Sequence, residues 1–126
     1  MSQREHEKPI GSLHAKRAEV VETLAALDLA DRPVQLDQSR QGRLSRMDAM
    51  TQQEMAKAGR AHLALELRRI EAALARADAA TYGLCCRCHA AIDPPRLEAD
   101  PAAPFCMDCV EEIAEERAEQ GRLDRR

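Results

Sequence analysis

The chain has no Trp, one Tyr (Tyr82) and one Phe (Phe105) in 126 residues. Large rings contribute most of the buried area in ordinary globular cores, so a thick globular core is excluded. Long apolar runs are missing too, so no segment reaches the length of a membrane-spanning helix. The first residues, Met1-Ser2-Gln3-Arg4-Glu5-His6-Glu7-Lys8, lack the apolar stretch of an export signal, and a cytoplasmic location is expected. There is no excess of basic charge: the formal net charge is −3. Phosphate-driven nucleic-acid binding calls for a basic stripe, whereas here Arg and Lys alternate with Glu and Asp. Also absent are a Gly-rich phosphate loop with its lysine, a Ser-His-Asp arrangement and an isolated acid/base pair. Nothing in the sequence calls for an enzyme.

What is present is Ala, Leu, Glu and Arg, with 44% apolar and 33% charged residues. This is the composition of long solvated helices or a coiled coil. Residues 1–11 are polar and end on Pro9-Ile10-Gly11, which reads as a flexible arm. Ser12 can cap a helix from Leu13 to about Ala30. Leu13, Val20, Leu24 and Leu27 fall on one stripe of it. Asp31-Arg32-Pro33 stops that helix. The polar stretch that follows, with Asp37, Ser39 and Gly42, reads as a tip over about residues 31–48. A second helix is expected from about Leu44 to Ala80. Leu63, Leu67, Ile70, Leu74 and Ala77 repeat there in the rhythm of a coiled-coil seam. Leu44, Met47, Met55 and Ala58 extend the apolar face toward the tip, and Gly59 is a weak point. Two such helices should pack antiparallel as a hairpin over residues 12–80.

Four of the five cysteines form two Cys-x-x-Cys pairs, Cys85 with Cys88 and Cys106 with Cys109. The spacer runs from His89 to Phe105, within the roughly 15–20 residues typical of a four-thiolate zinc site. In a reducing compartment such pairs indicate metal and not disulfides. Four sulfurs close the tetrahedron, so one zinc ion is expected in a structural role, over residues 81–126. Pro94-Pro95, Pro101 and Pro104 predict a non-helical connecting loop. A closing helix is expected over about Val110–Gln120, stopped by Gly121. Cys86 reads as a spare thiol beside the knot, and His89 as a poorer ligand than the sulfurs. His6, His14 and His62 show no partner pattern. The fold class expected is therefore all-α: an antiparallel coiled-coil hairpin with a C-terminal four-cysteine module and a closing helix.

The residues Tyr82-Gly83-Leu84-Cys85-Cys86-Arg87-Cys88, Ile92, Arg96-Leu97-Glu98-Ala99, Pro101 and Cys106-Met107-Asp108-Cys109 resemble the zinc finger of DksA/TraR transcription factors. One departure is His89, where that family has Gly. The resemblance implies a protein that binds RNA polymerase through its secondary channel, by a hairpin tip, without reading DNA sequence. It implies regulation of transcription initiation by a monomer. The family tip carries Asp-x-x-Asp-x-Ala. The nearest match is Asp37-Gln38-Ser39, with Val34 at the upstream Asp and Ser39 at the Ala. Asp48 with Ala49 is a second placement, though the two are adjacent. Ungapped alignment from the finger puts Arg69 at one basic position of the family's guanosine tetraphosphate site. Asp100 and Val110 fall at the other two, which implies a weak or absent alarmone response. The alternative is a zinc-stabilised interaction module with a different protein partner. A small DNA-binding finger is a third reading, and the lack of a basic recognition helix argues against it.

Overall fold

The computed structural model describes residues 3–30 and 43–125. Four helices follow in order: α1 (Gln3–Ala30), α2 (Arg43–Asp78), α3 (Pro94–Ala99) and α4 (Met107–Asp124). No described helix is long and apolar enough to cross a membrane. The chain divides into two compact units, Ala15–Glu71, and Met1–His14 with Ala72–Arg126.

The first unit pairs α1 with α2. Three ion pairs set the direction: Lys16–Glu66 at 3.7 Å, Arg17–Glu71 at 3.4 Å and Asp28–Arg60 at 3.5 Å. As the number rises along α1 it falls along α2, so the helices run antiparallel. Val20 and Ile70 are buried at 3% and 2% exposure, on the stripes expected from their spacing. The Arg60 guanidinium also reaches the Leu27 carbonyl at 3.5 Å. At about 1.5 Å per residue, the 36 residues of α2 give a rod of about 54 Å.

Of the apolar face expected toward the tip, Met47, Met55 and Ala58 are exposed, while the side chain of Leu44 lies outside the described residues. Met47 is 62% and Met55 70% exposed. Met47 lies about 140° around α2 from Ile70, off the seam, whereas Met55 lies within about 60° of it and is exposed all the same.

The second unit gathers the first turns of α1, the last turns of α2 and everything beyond. Its apolar centre is small: Leu13, Ala73, Tyr82, Ile92, Leu97, Ala102 and Ala103 are buried. Here three boundaries differ from expectation. Helix α1 begins at Gln3, so residues 3–11 are helical and not an arm. Pro9 lies inside α1 and is buried, as is Leu13. Packing of those two residues offsets the backbone hydrogen bond that Pro removes. Pro94 and Pro95 do not block a helix but open α3, where Asp93 is the N-cap. A proline in the first turn loses no intrahelical donor. Finally α4 starts at Met107 inside the second cysteine pair and runs past Gly121 to Asp124.

Helix α2 ends in a left-handed cap. Ala80 has φ 61, and the Thr81 amide donates to the Arg76 carbonyl at 2.8 Å. That six-residue closure is a Schellman-type ending, for which Gly is the usual residue.

Candidate metal centre

Tyr82 follows this cap and fixes the entry to the first knuckle. Its hydroxyl donates to the Pro101 carbonyl at 2.8 Å, and its ring is 6% exposed. Burial pushes the phenol pKa up to about 12, a rise that nearby Arg76 opposes and Asp100 assists. Gly83 sits at φ 85, where the imidazole of His6 closes over it. Leu84 then bridges Ala91 in antiparallel fashion, and the Ile92 amide donates to the Gly83 carbonyl at 2.8 Å. Within this small loop the Cys85 amide donates to the Ala90 carbonyl at 2.7 Å. The His89 amide returns to the Cys85 carbonyl at 2.9 Å. The loop closes because His89 takes φ 64. This explains physically why Gly suits that place.

The second knuckle is the start of α4. Cys106 is its N-cap, and the Val110 amide donates to the Cys106 carbonyl at 3.0 Å. Cys109 therefore lies one turn in, on the same side as Cys106. A backbone bond from the Cys86 amide to the Pro104 carbonyl, 2.8 Å, draws the two knuckles together. Arg96 donates to the Phe105 carbonyl at 3.2 Å, and Arg76 to the Ala102 carbonyl at 3.4 Å, so the connecting loop is pinned. Arg87 forms an ion pair with Glu116 of α4.

The result brings Sγ of Cys85, Cys88, Cys106 and Cys109 within 4.8 Å of one another. The Cys88 and Cys106 sulfurs are 3.7 Å apart. Zinc with four sulfurs at about 2.3 Å requires sulfur pairs about 3.8 Å apart, so the donor set fits that ion. Cys85 and Cys109 are buried, Cys106 is half-buried and Cys88 is exposed. Burial pushes the Cys85 thiol up, but the backbone amides of Cys88, Cys106 and Arg87 outweigh it and hold it at about 6. Burial, then the neighbouring thiols of Cys106, Cys85 and Cys88, push Cys109 up. Crowded thiols resist ionising together, and a divalent cation removes that conflict. With four protein sulfurs the site leaves no position for substrate, so its role is structural.

Cys86 is exposed and outside this quartet, as is His89. Asp37 and Ser39 lie outside the described residues. Asp48 is exposed and Ala49 half-buried early in α2, and Arg69 is exposed further along it. The structure does not bring Asp48, Ala49 or Arg69 into the metal cluster. Sequence reasoning missed His6, which supports the first knuckle. No local pattern marks it, because its contact is with residues more than seventy positions away.

Residues 80–112 match the family described as the prokaryotic dksA/traR C4-type zinc finger. The metal module is a DksA/TraR-type C4 finger. An uncharacterized protein of Aquifex aeolicus (strain VF5) is 44% identical over 50 residues, 40% of this chain. That stretch spans only 34%, about a third, of the Aquifex protein's length. The structure of transcription factor DksA2 from Pseudomonas aeruginosa superposes with a TM-score of 0.76 at 19% identity. It covers 94% of this chain and 89% of DksA2. At that identity the likeness is one of fold. The all-α hairpin with a zinc module, expected from the sequence, is therefore the observed architecture.

Proposed function

We propose that this chain regulates transcription initiation by binding RNA polymerase, entering its secondary channel with the tip of the hairpin. The observation that carries the reading is the pairing of a DksA/TraR-type finger with a DksA-like hairpin in one short chain. The chemistry of the site agrees with it. A zinc centre with four protein sulfurs has no open coordination position, so it holds structure and transforms nothing.

In this reading Asp37, Ser39, Asp48 and Ala49 are the tip residues that touch the polymerase. The protein acts in the cytoplasm, without catalysis and without sequence-specific DNA contacts. Guanosine tetraphosphate has little or no effect through it. Arg69 is a single cation, and Asp100 supplies the wrong charge for a phosphate at its position.

The experiment is a pull-down with core RNA polymerase, joined to a measurement of open-complex lifetime on a supercoiled promoter. Association with polymerase and an altered lifetime are expected for the zinc-loaded protein. Asp37→Asn and Asp48→Asn should keep association and lose the effect on lifetime. Failure of the intact protein to associate with polymerase overturns the reading and favours a different protein partner. Duplex binding that falls steeply with salt would favour a DNA-binding finger instead.

A further inference from the structure

Cys85 is the deepest of the four sulfurs, at 1% exposure. A buried anionic sulfur needs protein hydrogen-bond donors, because water cannot supply them. Three backbone amides do so, those of Arg87, Cys88 and Cys106. Arg87 and Cys88 belong to the same knuckle as Cys85, so the turn that forms the knuckle also aims their N–H groups. The Cys106 amide comes from the other knuckle. Its aim depends on how the peptide plane between Phe105 and Cys106 is turned.

That plane is held from its far side by Arg96. Among the described residues no peptide bond is cis, so the Phe105 carbonyl and the Cys106 N–H point opposite ways from one rigid plane. The N–H donates to the Cys85 sulfur, and the carbonyl accepts from Nε of Arg96 at 3.2 Å. The preceding carbonyl, of Pro104, accepts from the Cys86 amide at 2.8 Å. The guanidinium is fixed at a second point, where Nη1 meets Sδ of Met107 at 2.7 Å. Its backbone is fixed as well. The Arg96 amide donates to the Asp93 carbonyl at 3.0 Å, and the Arg96 carbonyl accepts from the Asp100 amide at 2.8 Å. The adjacent Leu97 is buried at 2%. Helix α3 therefore presents a cation to the residues on either side of Cys106.

A cation on a carbonyl oxygen polarises the peptide and strengthens its N–H as a donor. Four thiolates around one divalent ion carry net negative charge, and a stronger donor draws part of it away from Cys85. We infer that Arg96 is a positioning residue of the metal centre, acting on the Cys85 sulfur through the Phe105–Cys106 peptide. It thereby ties the connecting segment to both knuckles at once. The inference concerns the metal centre alone and is independent of the polymerase reading.

Three measurements test it. Zinc affinity, read by competition with a chromophoric chelator, should fall about tenfold or more in Arg96→Met, the usual scale for a lost outer partner of a metal ligand. Arg96→Lys keeps the charge without the fork that holds Phe105 and Met107 together, so it should fall between the parent and Arg96→Met. In the cobalt-loaded proteins the sulfur-to-cobalt charge-transfer band should move to longer wavelength in Arg96→Met, and by less in Arg96→Lys. A sulfur with a weaker donor gives up its electron more readily, whereas loss of a simple loop pin would lower affinity and leave the band in place. In the cadmium-loaded parent, scalar coupling between the metal and the Cys106 amide proton should report the N–H···S bond directly, with no variant needed. Parent zinc affinity in Arg96→Met overturns the inference. So does an unshifted cobalt band in Arg96→Met, or in Arg96→Lys if Arg96→Met takes up no metal. Absence of the cadmium coupling at Cys106 overturns it as well, since the bond through which Arg96 acts would not exist.

Discussion

The imidazole of His6 meets the ring of Tyr82 edge-on, with centroids 5.1 Å apart and planes at 75°. The same imidazole covers Gly83, where an added Cβ would stand 2.8 Å from Nε2. One residue of the first turns of α1 therefore touches both residues that lead into the first zinc knuckle. Gly83→Ala should destabilise the unit by about 2–3 kcal/mol, because φ 85 is strained for Ala and His6 must swing away. His6→Ala should cost about 1 kcal/mol in the parent, from the lost ring contact. In the Gly83→Ala background it should cost much less, since the contact is already broken. Denaturant unfolding of the four proteins measures this coupling. Simple additivity would mean that His6 does not bear on Gly83.

His89 takes φ 64 to close the knuckle onto the Cys85 carbonyl. An L residue other than Gly pays about 1–2 kcal/mol for that conformation. Gly loses about 0.5–1 kcal/mol more chain entropy on folding. His89→Gly should therefore stabilise the zinc-loaded protein by about 0.5–1 kcal/mol, the difference of these two terms. Gly59 offers the opposite case. It lies within α2 with nothing within 4 Å of an added Cβ. Gly59→Ala should add about 1 kcal/mol by helix propensity. Thermal unfolding of both variants checks the two signs. A destabilised His89→Gly would show that the imidazole itself contributes to the knuckle.

The hairpin and the metal quartet were legible in the sequence because both are periodic. Val20 and Ile70 follow the helix repeat, and the cysteines follow a fixed two-residue gap. Boundaries were not legible where packing overrode local preference. Residues 3–11 looked like an arm because Pro9 and Gly11 disfavour helix, yet buried Pro9 and Leu13 hold them in α1. Pro94 and Pro95 read as helix breakers, though a proline at the first position of a helix is favourable. Met47 and Met55 read as an extension of the apolar face because apolar residues look alike in sequence, whether or not a partner covers them. The left-handed angle of His89 could be inferred only as a departure from a family glycine. The contact of His6 with Gly83 depends on distant chain segments meeting, and no window of sequence contains it.

Zinc removal should act on the unit that holds the quartet before it acts on the hairpin. Few large side chains support that unit, so the metal supplies most of its folding free energy, on the order of 10 kcal/mol in small modules. A strong chelator should expose residues 80–112 to hydrogen exchange while amides around Ile70 keep their protection. Cys109→Ser should abolish stoichiometric zinc, because it removes a buried ligand from a closed site. Cys86→Ser should leave zinc content at one per chain, since its thiol is outside the quartet. Metal analysis of the two purified variants separates these outcomes. Equal zinc loss in both would assign Cys86 to the ligand set.

Tyr82 makes the alkaline limit of the fold measurable. It is the sole Tyr, and there is no Trp, so phenolate absorbance reports this side chain alone. Burial pushes its pKa from the ordinary 10.0 to about 12. The folded state thus holds the proton more tightly than the unfolded chain does. A raised folded pKa gives stability that is fully present below pH 10 and lost as pH climbs from 10 toward about 12. Tyr82→Phe has no proton to lose and also lacks the hydrogen bond to the Pro101 carbonyl. It should be less stable than the parent by about 1 kcal/mol near neutral pH. That difference should shrink across the alkaline window, because only the parent titrates. Denaturant unfolding at matched pH values, read beside the phenolate absorbance, checks both. A phenolate transition near 10 in the folded protein would show the ring to be wetter than its 6% exposure implies.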